Sequence, residues 1–165
     1  MTATLHWRPV ADADLATVAA LAHTIWWQHY PPLIGEQQTR YMLARMYAPE
    51  RLRQELADGV CYRLAWLDDE PVGYLSVRPG PCAALDKLYL LPSRHRQGLG
   101  QQMLEYACRL AAEQGGQRLQ LRVNRDNCQA IAAYERAGFR CVGEDCAAIG
   151  DGFVMDDFIY ERSLL

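Results

Sequence analysis

The 165-residue chain lacks any apolar run near the roughly 18 residues that span a bilayer, so no transmembrane helix is expected. It has no CxxC pair and only four scattered histidines (His6, His23, His29, His95), which argues against a zinc ribbon or other metal cluster. There is no Ser/Gly linker, internal repeat or low-complexity block, so residues 1–165 read as a single domain. Basic residues are not in excess: 17 Lys and Arg stand against 20 Asp and Glu, a net charge of -3. Non-specific nucleic-acid binding needs clustered, unopposed cations, so no nucleic-acid partner is expected. The start, MTATLHWRPVADADL, carries acids where a signal peptide would be apolar, and a cytoplasmic location without membrane attachment is the expectation.

What is present is ordinary for a globular protein: half the residues are apolar and 22% are charged. The six cysteines (Cys61, Cys82, Cys108, Cys128, Cys141, Cys146) read as free thiols used as small apolar side chains. A first strand is expected over residues 5–10. A helix then starts at Asp12 or Asp14, with Leu15, Val18, Ala22, Ile25 and His29 at helical spacing, and ends in the aromatic cluster Trp26, Trp27 and Tyr30 before Pro31 and Pro32. EQQTRYMLARMY and PERLRQELADG are further helical stretches, with Pro49 suited to a first turn and Gly59 to a stop. CYRLAW and VGYLSV, separated by LDDEP, read as an antiparallel hairpin, and AALDKLYLL follows as a third strand. The order then alternates: helix 98–114, strand 118–123, helix 127–137 stopped by Gly138, and two terminal strands. The pattern predicts an α/β architecture in the broad sense, a mixed sheet of about seven strands with helices on both faces.

The stretch RHRQGLGQQML, from Arg94, puts two glycines where a helix begins. The first amides of a helix have no intrahelical partner and sit at the positive end of its dipole, so such a turn is an anion site by construction. Glycine lets the backbone approach a phosphate with no Cβ in the way, and Arg94 and Arg96 add charge. A P-loop is excluded because Gln101 and Gln102 stand where GK[ST] is required. A dinucleotide fingerprint is excluded because Met103 replaces the third glycine and an antiparallel meander precedes the turn.

Together LYLLPSRHRQGLGQQML and, about 25 residues later, VNRDNCQAIAAYERAGF resemble the Gcn5-related N-acetyltransferase superfamily. The spacing NxxAxxxYExxGF is matched by Asn127, Ala130, Tyr134, Glu135, Gly138 and Phe139. The resemblance covers residues 60 to 165 well and departs at His95, where the family usually has Gln or Arg. It implies a mostly antiparallel sheet and an acetyl-CoA-dependent enzyme that moves an acyl group to an amine by direct transfer in a ternary complex. It also implies roles. Leu88, Tyr89 and Leu90 would meet the pantetheine arm through their backbone, and His95, Arg96, Gln97, Gly98, Leu99, Gly100 and Gln101 would hold the pyrophosphate. Asn127 would hydrogen-bond the arm, and Tyr134 would sit at the sulfur as general acid. A weaker resemblance, carried by YMLARMYAPERLRQEL and GDGFVMDDFIYE, is to the bacterial spermidine and spermine acetyltransferases.

The chemistry agrees with these assignments. Asn127 and Tyr134 are seven residues apart, so on a helix they differ by about 20° and lie about 10 Å apart on one face, as an extended ligand requires. A phenol there can protonate a departing thiolate, and the amide of Leu88 or Tyr89 can stabilise an oxyanion. The acceptor amine must lose a proton, since aliphatic amines titrate near pH 10 as lysine does. Asp86, Glu36, Asp156 or Asp157, or a chain of waters, are candidates to take it. Cys128 beside Asn127 is a candidate acyl carrier, though no histidine adjoins it. Trp26, Trp27, Tyr30, Tyr41 and the acids Asp86, Asp145, Asp151, Asp156 and Asp157 would favour a cationic, partly aliphatic amine if they converge. The acceptor is then a small molecule such as a polyamine. A protein N-terminus or lysine, or a non-catalytic acyl-CoA sensor, are the alternatives. The strand over residues 153–160 is expected to offer an edge for a homodimer.

Overall fold

The computed structural model describes residues 3–165. Seven strands form one sheet in the order β1-β2-β3-β4-β5-β7-β6. They are β1 (His6–Pro9), β2 (Cys61–Leu67), β3 (Glu70–Arg78), β4 (Cys82–Leu90), β5 (Arg118–Asn124), β6 (Arg140–Gly150) and β7 (Phe153–Ser163). Among the described residues only β4 and β5 run parallel, and α5 (Leu99–Glu113) crosses between them. Every other neighbouring pair is antiparallel. The mixed, mostly antiparallel α/β architecture expected from the sequence is the one found.

Local chemistry explains the turns. Asp68 and Asp69 both take positive φ (50° and 64°), the conformation a two-residue hairpin needs between β2 and β3. Asp151 and Gly152 (φ 54° and 78°) do the same between β6 and β7. The prolines after α1 (Leu15–His29) end that helix, as expected, but also begin a short one, α2 (Pro31–Ile34). Proline lacks only an N–H that a first turn does not use, so it closes one helix and opens the next. Then come α3 (Glu36–Met46), α4 (Pro49–Ala57) and, after β5, α6 (Cys128–Arg136).

Both sheet faces are covered. Val18, Ala22, Ile25 and Trp26 of α1, with Leu43 of α3 and Leu52 of α4, pack on Tyr62, Leu64 and Tyr74. Leu104, Ala107, Leu110 and Ala111 of α5 pack on the opposite face, against Leu75, Val77, Leu119 and Leu121. β3 is consequently buried on both sides, which is why VGYLSV is continuously apolar or small rather than alternating. Each such fully buried Leu or Val contributes about 1.5–3 kcal/mol.

β7 lies between β5 and β6: residues 157–160 are paired on both sides, and 153–156 pair with β6 alone, so most of the expected edge is already used inside the sheet. The expectation of an edge along the whole of 153–160 is corrected to its first four residues, and the sheet's outer strands are β1 and β6. All six cysteines are free thiols. Among the described residues no helix is long and apolar enough to cross a membrane.

Candidate active site

The site begins as a parting of strands. β4 and β5 pair only from Cys82 with Arg118 to Leu85 with Leu121. Beyond that rung Lys87–Leu90 still pair with β3 and Arg122–Asn124 with β7, but not with each other. The cause is a bulge: Val77 opposes Leu85 and Ser76 opposes Lys87, leaving Asp86 as an extra residue that bends β4 away. Gly73 of β3 keeps the bent strand close, since a Cβ there would lie 2.4 Å from the Tyr89 carbonyl oxygen.

The parted ends open into a cleft of about 730 Å³. Leu88, Tyr89 and Leu90 of β4 line it, as do Arg122, Val123 and Asn124 of β5, Asn127, Ala130 and Tyr134 around α6, and Trp26, His29 and Tyr30 of α1. At one end α5 begins. Gly98 caps that helix with φ 76°, a left-handed conformation glycine adopts without strain, and among the described residues no side chain caps the first amides. Space is open where a Gly100 side chain would stand. Unpaired amides and room beside them suit a pyrophosphate. Arg96, also at positive φ (63°), adjoins them at the cleft.

Each expected residue has a definite place. Leu88, Tyr89, Leu90, His95, Arg96, Gly98, Gly100, Gln101, Asn127 and Tyr134 all line the cleft. Leu99 is fully buried in the core, so only its backbone faces the turn, and Gln97 is exposed, near the Ser93 carbonyl at 3.5 Å. Gln101 donates its side-chain amide to the Ala133 carbonyl (3.2 Å), tying α5 to α6. His95 bonds the Leu90 carbonyl at 3.0 Å. Asn127 caps α6 instead of lying within it, its Oδ1 accepting from the Ala130 amide at 3.4 Å, and still shares the cleft with Tyr134.

Of the acceptor-side residues, Trp26, Tyr30 and Asp86 line the cleft, while Trp27 and Asp156 do not. Trp27 packs under the Arg40 guanidinium (5.4 Å), and Asp156 is ion-paired to Arg125 at 3.2 Å. Glu36, Tyr41, Asp145 and Asp151 also stand off the cleft, as does the exposed Cys128. Asp157 lines it and is 4% exposed. His29, which helical spacing marked as merely apolar, is a cleft residue too. Its ring is held below the usual histidine range by burial and then by His95, with Asn127 opposing.

The aromatic wall is continuous. The Trp26 and Tyr30 ring centroids are 4.3 Å apart, and the Tyr30 and Tyr89 hydroxyls are 3.0 Å apart. Burial pushes Tyr30 up to about 12, with the hydroxyl of Tyr89 opposing and the charge of Asp157 adding. Tyr134 is raised by burial and then by Tyr30, so its phenol stays protonated across the physiological range. That makes it a proton donor rather than a base.

Residues 20–139 match the family model described as the acetyltransferase (GNAT) family. A spermidine N(1)-acetyltransferase of Thermoplasma acidophilum is 23% identical over 155 residues, 90% of this chain and 94% of that protein. A peptidyl-lysine N-acetyltransferase of Salmonella typhimurium is 30% identical over 93 residues, 56% of this chain and 59% of that one. The crystal structure of a PaiA N-acetyltransferase from Thermoplasma acidophilum in complex with coenzyme A superposes with a TM-score of 0.83 at 23% identity, covering 97% of this chain and 99% of that one. The parted strands, the glycine turn and the family match converge, and the chain belongs to the GNAT family as an N-acetyltransferase that uses acetyl-CoA.

Proposed function

We propose that the enzyme transfers acetyl directly to the primary amine of a small cationic acceptor such as a polyamine, with both substrates bound together. The observation that carries this reading is that the glycine turn, Tyr134 and the aromatic end of α1 line one cleft. Acetyl-CoA, when bound, supplies an acetyl group activated as a thioester. The chain supplies the rest. The amides of Leu99, Gly100 and Gln101, with Arg96, hold the diphosphate, and the unpaired side of Leu88–Leu90 with Asn127 takes the arm. The amide of Leu88, on the side of β4 that faces the gap, stabilises negative charge on the acyl oxygen, the proton that the amine gives up passes to Asp86 or to water in the cleft, and the neutral Tyr134 phenol gives its proton to the leaving sulfur.

Tyr30 and Tyr89, half-buried at the cleft with Trp26 packed behind Tyr30, offer aromatic surface to an alkylammonium ion, which favours a small amine over a folded protein. The likeness to a spermidine acetyltransferase supports the same choice. Likeness to a peptidyl-lysine acetyltransferase is the specific observation behind a second reading, a lysine side chain as acceptor. We read residues 1–165 as one domain acting in a reducing, cytoplasmic compartment, where six thiols stay unpaired.

Purified protein incubated with acetyl-CoA and either a polyamine panel or a lysine-containing peptide, with free thiol followed over time, tests the choice. Polyamine-dependent thiol release is expected. Release with the peptide alone favours the second reading, and release with neither overturns both.

A further inference from the structure

Four acids on the last two strands lie near the cleft, and they are not treated alike. Asp145 of β6 is bound by Arg122 of β5. Glu144 of β6 and Asp156 of β7 share Arg125, at 3.0 and 3.2 Å. Asp157 is the most buried of the four, and its Oδ1 has no hydrogen-bond partner among the described residues. Leaving a carboxylate buried without a cation is among the costlier arrangements a fold carries.

Its position is set by register. Successive residues of a strand face opposite sides, so Met155 and Asp157 meet the cleft while Asp156 turns to Arg125. Arg122, the nearest cation, is engaged by Asp145, which sits directly opposite Asp157 on β6. The charges near Asp157 are therefore Asp145 from β6, Arg122 from β5 and, on the other side of the strand, Asp156, with the Tyr30 phenol nearby from α1. Burial pushes the carboxyl up to about 6, with Arg122 opposing and the two neighbouring acids adding, so at neutral pH it is an anion in want of a counter-charge. Tyr30 and, behind it, Trp26 supply ring surface near that charge.

We infer that Asp157 is the seat for an alkylammonium group of the acyl acceptor, a buried carboxylate kept free of internal cations so that the substrate supplies one. This deepens the reading of the chain as an amine acetyltransferase and rests on it for the identity of the ligand. It assigns substrate class to one oxygen pair: a primary or secondary aliphatic ammonium is held, and a neutral or acidic acceptor is refused.

The test is calorimetric titration with spermidine at neutral pH, with and without coenzyme A, of the wild type, Asp157→Asn and Asp157→Glu. Asp12→Asn, which removes the same charge from the remote surface pair with Arg53, is the control. Asp157→Asn should lose at least roughly 30-fold in spermidine affinity, Asp157→Glu should keep part of it, and Asp12→Asn should match the wild type. Coenzyme A uptake should be equal in all four, which also reports that each is folded. Spermidine affinity in Asp157→Asn within about twofold of the wild type, or no spermidine uptake by the wild type, overturns the seat. Spermidine bound at Asp157 with no acetyl transfer to any amine would leave the seat standing and remove the proposed activity.

Discussion

Two buried acids, Glu55 on α4 and Asp157 on β7, are treated differently by the fold. Glu55 of α4, 5% exposed, lies 3.6 Å from Lys87 and 3.7 Å from both Arg51 and Arg78, and accepts a hydrogen bond from the Tyr62 hydroxyl at 3.1 Å. Lys87 in turn lies over the rings of Tyr47 and Tyr62, at 5.6 and 5.3 Å. Burial lowers the Lys87 ammonium while Glu55 resists that shift. Asp157, 4% exposed, forms no ion pair or hydrogen bond with its side chain among the described residues, Arg122 being held by Asp145. A buried charge that the protein itself surrounds is architecture, here pinning the strand that carries Leu88–Leu90. A buried charge left alone in a cleft is a binding feature, and its cost is borne by the folded state until a ligand arrives.

The contrast breaks most sharply at Lys87. Lys87→Ala strips Glu55 of its closest buried cation and should destabilise the protein by about 3–5 kcal/mol, read as a large fall in denaturant midpoint. A change below about 1 kcal/mol would mean that the two exposed arginines suffice, and that the network is not structural. Tyr134→Phe probes the cleft in the other currency. It should lower kcat about 100-fold or more while leaving the melting temperature within error, because a phenol in a cleft contributes to the reaction and not to packing. Unchanged turnover would remove Tyr134 as the proposed acid.

Asp157→Asn gives the smallest and most telling shift. The carboxyl binds its proton more tightly folded, at about 6, than unfolded, at the ordinary 3.8, so the native state loses stability as pH rises between those values and carries the full cost above them. The Asn variant, in the absence of acceptor, should therefore melt roughly 2–6 °C higher than the wild type at pH near 8, with the gap closing near pH 4. Equal melting at both pH values would show that Asp157 is already satisfied in the free protein.

Much of this was legible in sequence because it depends on local chemistry. A glycine pair before an apolar-periodic helix and two aspartates between apolar runs each encode their geometry within a dozen residues, while the Asn127 to Tyr134 interval marked the right element but missed that Asn127 caps it. The acceptor side was not, because it depends on parity and on distant partners. Asp156 and Asp157 are equivalent in sequence, and only the pairing of β7 with β5 and β6 turns one to Arg125 and the other to the cleft. Trp26 and Trp27 differ the same way, by the 100° between consecutive helical positions. The bulge at Asp86 left no mark in ALDKLYL, because it is a mismatch between two strands and not a property of either.

The seam between β4 and β5 is only four rungs long, yet it is all that stitches the first half of the sheet to the second. Past it, two backbones run on without each other: one edge of each stays bonded to its outer neighbour, and on the gap side the Leu90 carbonyl meets the His95 ring. A ligand with a peptide-like arm would find there a ladder already half built, so the molecule that donates the acetyl group would also mend the sheet, and the enzyme should be stiffest when it is ready to react.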